Sequence, residues 1–239
     1  MAKKAKYLKQ EQELFLNFKK VNLTEKQKQA TNLIKSNKIS IITGPAGTSK
    51  TFTACFAAIE LLKNGFCSKI ILTKPMETIG SFDLGALPGT LEDKLLVYKD
   101  CFIQNFNEII QGRDINMLFE EKTIEFKPVQ YMRGITFKGS VVIVDEFQSF
   151  DIKELMAIVT RLGKENCKII FLGDINQNDI SKKYVGLKIF KEILENIDGV
   201  GFFEFNHSDT MRDEILIKIL EKYEKLQGEG KLSQTKNDS

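Results

Sequence analysis

Gly44-Pro45-Ala46-Gly47-Thr48-Ser49-Lys50-Thr51 decides the fold because of what stands on either side of it. Before it, residues 39–43 (Ile-Ser-Ile-Ile-Thr) form a short apolar, β-branched run that reads as a buried strand. After it, residues 50–63 read as a helix. A Gly-rich turn that joins a strand to a helix and ends in Lys-Thr suits phosphate: backbone N–H groups converge without Cβ obstruction, and the helix N-terminus adds partial positive charge. In such a cradle Gly44, Pro45, Ala46, Gly47, Thr48 and Ser49 wrap the phosphates. Lys50 reaches the β- and γ-phosphates, and the Thr51 hydroxyl ligates Mg2+. Ser49 stands where this pattern has glycine. A helix-like backbone there would make serine cheap; a tightly packed Cα would make it costly.

Outward from this turn the chain alternates. Residues 69–73, 123–126, 141–145, 168–172 and 201–205 read as strands; 91–110, 152–162 and 187–194 read as helical. Short apolar runs between helices predict an α/β fold, a mostly parallel sheet covered on both faces. Thr24 followed by Gln27 is a capping box that starts a helix, preceded by an N-terminal helical extension over residues 1–22. The core domain is expected over 23–226. Residues 74–138 interrupt the alternation and read as an insertion of helices and a hairpin on the edge of the core. Residues 227–239 read as a disordered polar tail.

The second informative stretch is Val141-Val142-Ile143-Val144-Asp145-Glu146, an apolar run ending in two carboxylates. In open α/β sheets the carboxyl ends of strands face the ligand crevice. Asp145 is thereby placed to hold Mg2+, and Glu146 to act as general base on water. A base beside the metal-binding aspartate favours hydrolysis over phosphoryl transfer to a small molecule.

The bulk numbers bound the class. The chain has 239 residues, 42% hydrophobic and 28% charged, with net charge +3. That is a globular composition, and the charge permits a nucleic-acid partner without demanding one. No apolar run approaches membrane-spanning length. Cys55, Cys67, Cys101 and Cys167 are scattered and His207 is the only histidine, which excludes a zinc constellation. Scattered, reduced cysteines and the absence of a secretory signal lead us to expect a cytoplasmic protein.

Several fragments together resemble one family, from about Leu23 to the helix after Asp209. They are the phosphate turn, Leu72-Thr-Lys-Pro, Leu87-Pro-Gly, Tyr131-Met-Arg-Gly-Ile-Thr-Phe137, Asp145-Glu-Phe-Gln148, Thr160-Arg-Leu-Gly163 and Gly173-Asp-Ile-Asn-Gln177. The sequence resembles the PhoH-like proteins, phosphate-starvation-inducible ATPases related to superfamily-one helicases, in a compact, phage-type version. The resemblance implies a RecA-like P-loop NTPase core that binds ATP. It implies that Gln27 reads adenine, that Gln177 senses the γ-phosphate, and that Gln148 couples hydrolysis to bound polynucleotide. For Gln27 and Gln148 a solvated helical or loop glutamine is the competing reading. Lys74 stands where the family usually has arginine.

Fast hydrolysis calls for an arginine at the transition state. Arg212, at the start of the last helix, is placed to reach a neighbouring subunit's nucleotide. Arg133 lies in the Tyr-Met-Arg-Gly segment and suits nucleotide or nucleic acid. Arg161 ends a helix and suits phosphate or that helix's own C-terminus. One core domain in place of two predicts a homo-oligomer, a ring such as a hexamer, with the site completed in trans. The function expected is Mg-dependent ATP hydrolysis acting on single-stranded RNA or DNA, helicase-like. The alternatives are a nucleotide-dependent assembly module with little turnover and a P-loop small-molecule kinase.

Overall fold

The computed structural model describes residues 18–76, 91–132, 134–174 and 181–211, with residues 215, 218, 219, 222 and 226 beyond them. The expected helix over 1–22 and tail over 227–239 fall largely or wholly outside these.

Six strands form one sheet: β1 (Ile39–Thr43), β2 (Lys69–Thr73), β3 (Ile124–Phe126), β4 (Ser140–Val144), β5 (Lys168–Gly173) and β6 (Val200–Glu204). Their order is β3-β2-β4-β5-β1-β6, and every pairing is parallel. The helices between them are α1 (Glu25–Ser36), α2 (Lys50–Lys63), α3 (Leu91–Ile109), α4 (Gly112–Glu120), α5 (Ile152–Val159) and α6 (Ser181–Leu194).

The central strands are buried on both faces, which is why β1, β4 and β5 read as continuous apolar runs. Alternate residues feed two cores. One face packs Ile42, Ile70, Leu72, Ile143 and Leu172 against α1–α4. The other packs Ile41, Ile71, Val144 and Phe171 against α5 and α6. In α2, Ala54, Cys55, Ala57, Ala58, Ile59, Leu61 and Leu62 are all buried, because the helix lies between the sheet and its neighbours α1 and α3.

Two expectations change. The stretch 74–138 contains no hairpin among its described residues: β3 runs parallel to β2, so this stretch is a crossover that adds an edge strand. The helix expected over 152–162 stops at Val159, because the chain must turn for β5. Arg161 O there accepts from Phe137 N at 2.8 Å. A Cβ on Gly163 would sit 1.9 Å from Phe137 O, so only glycine permits this approach.

The amino ends of the strands are tied together. Ser68 N donates to Gly139 O and Gly139 N to Glu165 O. Buried Lys168 donates to Lys35 O at 2.7 Å and to Asn37 O, closing the C-terminus of α1 with a cation. The carboxyl ends are left to build the site.

Candidate nucleotide site

At the carboxyl edge, β1 runs into the phosphate turn. Gly44 has φ +145, and a Cβ there would lie 2.5 Å from Phe205 O, so the turn is pressed against the end of β6. Gly44 N donates to Gly173 O, linking it to β5. Lys50 curls over the turn and donates to Gly44 O at 2.6 Å and Pro45 O at 2.8 Å. The Thr48 hydroxyl donates to Pro45 O at 2.9 Å. Met211 N donates to Gly47 O, so the segment leading to the last helix is also hung on this turn.

Ser49 resolves the question raised by its sequence. It caps α2 with φ 58 and ψ 31, a left-handed backbone. That conformation costs a residue with a side chain roughly 1–2 kcal/mol, which explains the usual glycine. Ser49→Gly is expected to stabilise the fold by about 0.5–1 kcal/mol, after allowing for glycine's extra freedom when unfolded. A denaturant midpoint unchanged or lowered would contradict this.

Thr51 and Asp145 meet as the motifs require: Thr51 Oγ1 donates to Asp145 Oδ2 at 3.1 Å. Asp145 is 6% exposed, and its N–H continues the ladder to Thr73 O. Burial pushes the Asp145 carboxyl up to about 6; the Glu146 charge adds to this and Lys74 opposes it. Thr73 Oγ1, on the adjoining strand end, is buried without a hydrogen-bond partner among the described residues.

These residues fit a hard divalent cation. The donors are a hydroxyl and a carboxylate, the oxygen-only chemistry that magnesium takes with water and phosphate. A buried carboxylate raised by desolvation and a like charge is a site short of positive charge, which a cation would supply.

Glu146 leaves the strand with φ 52, again left-handed, and its N–H donates to Asp145 Oδ1 at 3.0 Å. Gln148 is buried, and its Nε2 donates to Glu146 Oε2. Its Oε1 accepts from Asp174 N at 3.2 Å. This glutamine is therefore no solvated loop residue; it spans the ends of β4 and β5.

Gln27 is buried as well. Its Oε1 accepts from Thr24 N at 2.9 Å, while its own N–H donates to Thr24 Oγ1, the reciprocal capping box of α1. The solvated reading fails here too, and the side chain has a structural task of its own.

Arg161 lies toward the opposite edge of the sheet from the phosphate turn. It is bonded through its carbonyl to Phe137, ahead of the amino end of β4, whereas Asp145 follows the carboxyl end. Five strand residues separate the two by about 17 Å, beyond the reach of an arginine side chain. Gln177, Arg133 and Arg212 lie outside the described residues.

Sequence reading passes over two participants. Lys74 stands out there only as a departure from the family, yet it is the cation that offsets Asp145. Thr73 is not singled out at all. The available signal is the parallel with β4, since both end an apolar strand in polar residues.

The sequence profile described as PhoH-like protein matches residues 21–224. The PhoH-like protein of Bacillus subtilis (strain 168) is 36% identical over 200 residues, 83% of this chain and 62% of its own length. That of Synechocystis sp. is 36% identical over 203 residues, 84% and 61% respectively. The chain thus spans about three fifths of these relatives. Among solved structures, the large terminase of a thermophilic bacteriophage aligns over 86% of this chain and 50% of its own, with a TM-score of 0.52 and 13% identity. That is a likeness of fold. The parallel sheet, the phosphate turn and the acidic strand end beside it are the common core of P-loop NTPases, and with this match the chain belongs to the PhoH-like protein family.

Proposed function

We propose that this chain hydrolyses ATP with magnesium and couples turnover to single-stranded RNA or DNA. The observation that carries hydrolysis is the Thr51–Asp145 contact with Glu146 as the next residue. Lys50, released from the turn carbonyls, binds the β- and γ-phosphates. Thr51 and Asp145 hold the cation, whose charge neutralises the phosphates when it is bound. Glu146 orients a water and takes its proton as the water oxygen bonds to the γ-phosphorus and the bond from that phosphorus to the β–γ bridging oxygen breaks, releasing ADP and phosphate. Gln177 is the proposed γ-phosphate sensor. Gln27 is proposed to read adenine, which would draw on the amide that now caps α1.

The polynucleotide reading rests on kinship with helicase-like ATPases. Assembly into a ring, with Arg212 or Arg133 entering a neighbour's site, draws support from the last helix. Ile215 and Ile219, 66% and 56% exposed, stand at i and i+4 on that helix, an apolar pair suited to a second copy. The strain at Ser49 favours the runner-up, an assembly module with little turnover.

The test is phosphate release from ATP by the purified chain, with and without single-stranded RNA and DNA, and with mass measured in nucleotide. Stimulation by one polymer, in an oligomer, is the expected outcome. Absence of turnover under all conditions would overturn the enzyme reading in favour of the assembly module. A fully active monomer would remove the ring.

A further inference from the structure

We propose that Gln148 is a positioning residue that locks Glu146 in place and ties it to the loop after β5. The inference deepens the hydrolysis reading and rests on it.

Three observations converge on this side chain. First, its amide has one possible orientation. Asp174 N–H is a donor only, so it must meet Oε1; that leaves Nε2 to donate to the Glu146 carboxylate. Glutamate at 148 would set two carboxylates face to face. Asparagine would be one methylene short. Second, Glu146 occupies a left-handed backbone that a side chain adopts only when its surroundings enforce it. Its backbone is held by its N–H donating to Asp145 Oδ1 and its carbonyl accepting from Ser149 N, while its carboxylate is held by Gln148. Third, room for the bridge is built into β5. A Cβ on Gly173 would lie 2.3 Å from Gln148 Oε1, so glycine at the strand end is what admits the amide.

The consequence is mechanical. Gln148 and Asp174 are 26 residues apart in sequence but adjacent across the ends of β4 and β5. Asp174 opens the segment that carries Gln177. A shift of the Asp174 N–H pulls on Oε1 and turns the Glu146 carboxylate toward or away from the attacking water. One Glu146 oxygen is held by the amide, leaving the other for the proton. Gln148 touches neither nucleotide nor water in this scheme, and it acts through Glu146.

The test compares Gln148→Met, which keeps the volume and removes both polar contacts, with Gln148→Glu, which keeps the shape and reverses the donor. Both are expected to lower kcat by roughly 10- to 100-fold, the loss that misplacing a reacting group brings, with KM for ATP unchanged. In Gln148→Met, hydrogen exchange at the Asp174 amide is expected to accelerate. A role in filling space alone predicts near-normal kcat for both. A nucleotide contact predicts raised KM, and a nucleic-acid contact predicts lost stimulation with intact basal kcat. Any of these three would overturn the proposal. If the wild type shows no turnover at all, the hydrolysis reading fails separately. The Asp174 exchange then decides the bridge: unchanged protection in Gln148→Met would sink it.

Discussion

Glu146→Gln is expected to lower phosphate release from ATP by about 10²- to 10⁴-fold, the contribution of a well-placed general base, while nucleotide still binds. The substitution is nearly isosteric, so it isolates proton acceptance from packing. Its amide oxygen can still accept from Gln148 Nε2, and its backbone N–H can still donate to Asp145 Oδ1. What it removes is the carboxylate beside Asp145 that takes a proton from water. It also removes a negative charge close to where the triphosphate lies, so affinity for ATP should hold or rise. Fluorescent-nucleotide binding measured beside turnover separates the two effects. Turnover within tenfold of wild type would show that another group serves as base.

Asp145→Asn should raise stability while it abolishes turnover. The Asp145 carboxyl titrates near 6 in the folded chain, against about 3.9 when exposed. Between about pH 4 and about pH 6 the folded state therefore holds a proton that the unfolded state has lost. The sign follows: wild-type stability is highest below this window, falls as pH rises through it, and stays low above it. Two pKa units correspond to about 3 kcal/mol. Asparagine never ionises, so in magnesium-free buffer the variant is expected to exceed the wild type by about that amount at pH 7.5 and to match it at pH 4. Local geometry tolerates the exchange. The substituted amide keeps its oxygen for the Glu146 N–H, and its NH2 group can donate to Thr51 Oγ1 once that hydroxyl rotates. Added magnesium and ATP should reverse the ranking, because only the wild type gains a full site. Equal urea midpoints at pH 7.5 without magnesium would refute the burial argument.

Both variants act on residues visible in the sequence, and the reason is physical. Residues 39–43 and 69–73 match their strands because a strand buried on both faces must be apolar throughout and end where polar residues begin. The phosphate turn is legible because its backbone demands are local. Helix α4 is not, since Gln111 offers no side-chain cap and residues 112–120 follow a longer helical run. The strand order cannot be read either, because each crossover leaves its neighbours unspecified. The bridge from Glu146 through Gln148 to Asp174 has the same origin. Each glutamine contact makes sense only once β5 is known to lie beside β4. Ser49 is visible in the sequence as a departure, but its left-handed backbone emerges only with the turn itself.

All six strands point the same way, and this divides the molecule's vulnerabilities by direction. Gly139, Gly163 and Lys168 sit where the strands begin, engaged with backbone from neighbouring segments. Thr51, Asp145, Glu146 and Gln148 gather where the strands end. Substitution of Gly163 is expected to act on folding, and substitution of Thr51, Glu146 or Gln148 chiefly on chemistry, with Gly44 the point at the second edge where the backbone is packed as tightly as at the first. Asp145 links the two, since the buried charge that prepares the site also weakens the scaffold. Inheritance of the fold and drift of its activity can thus proceed on opposite sides of one sheet.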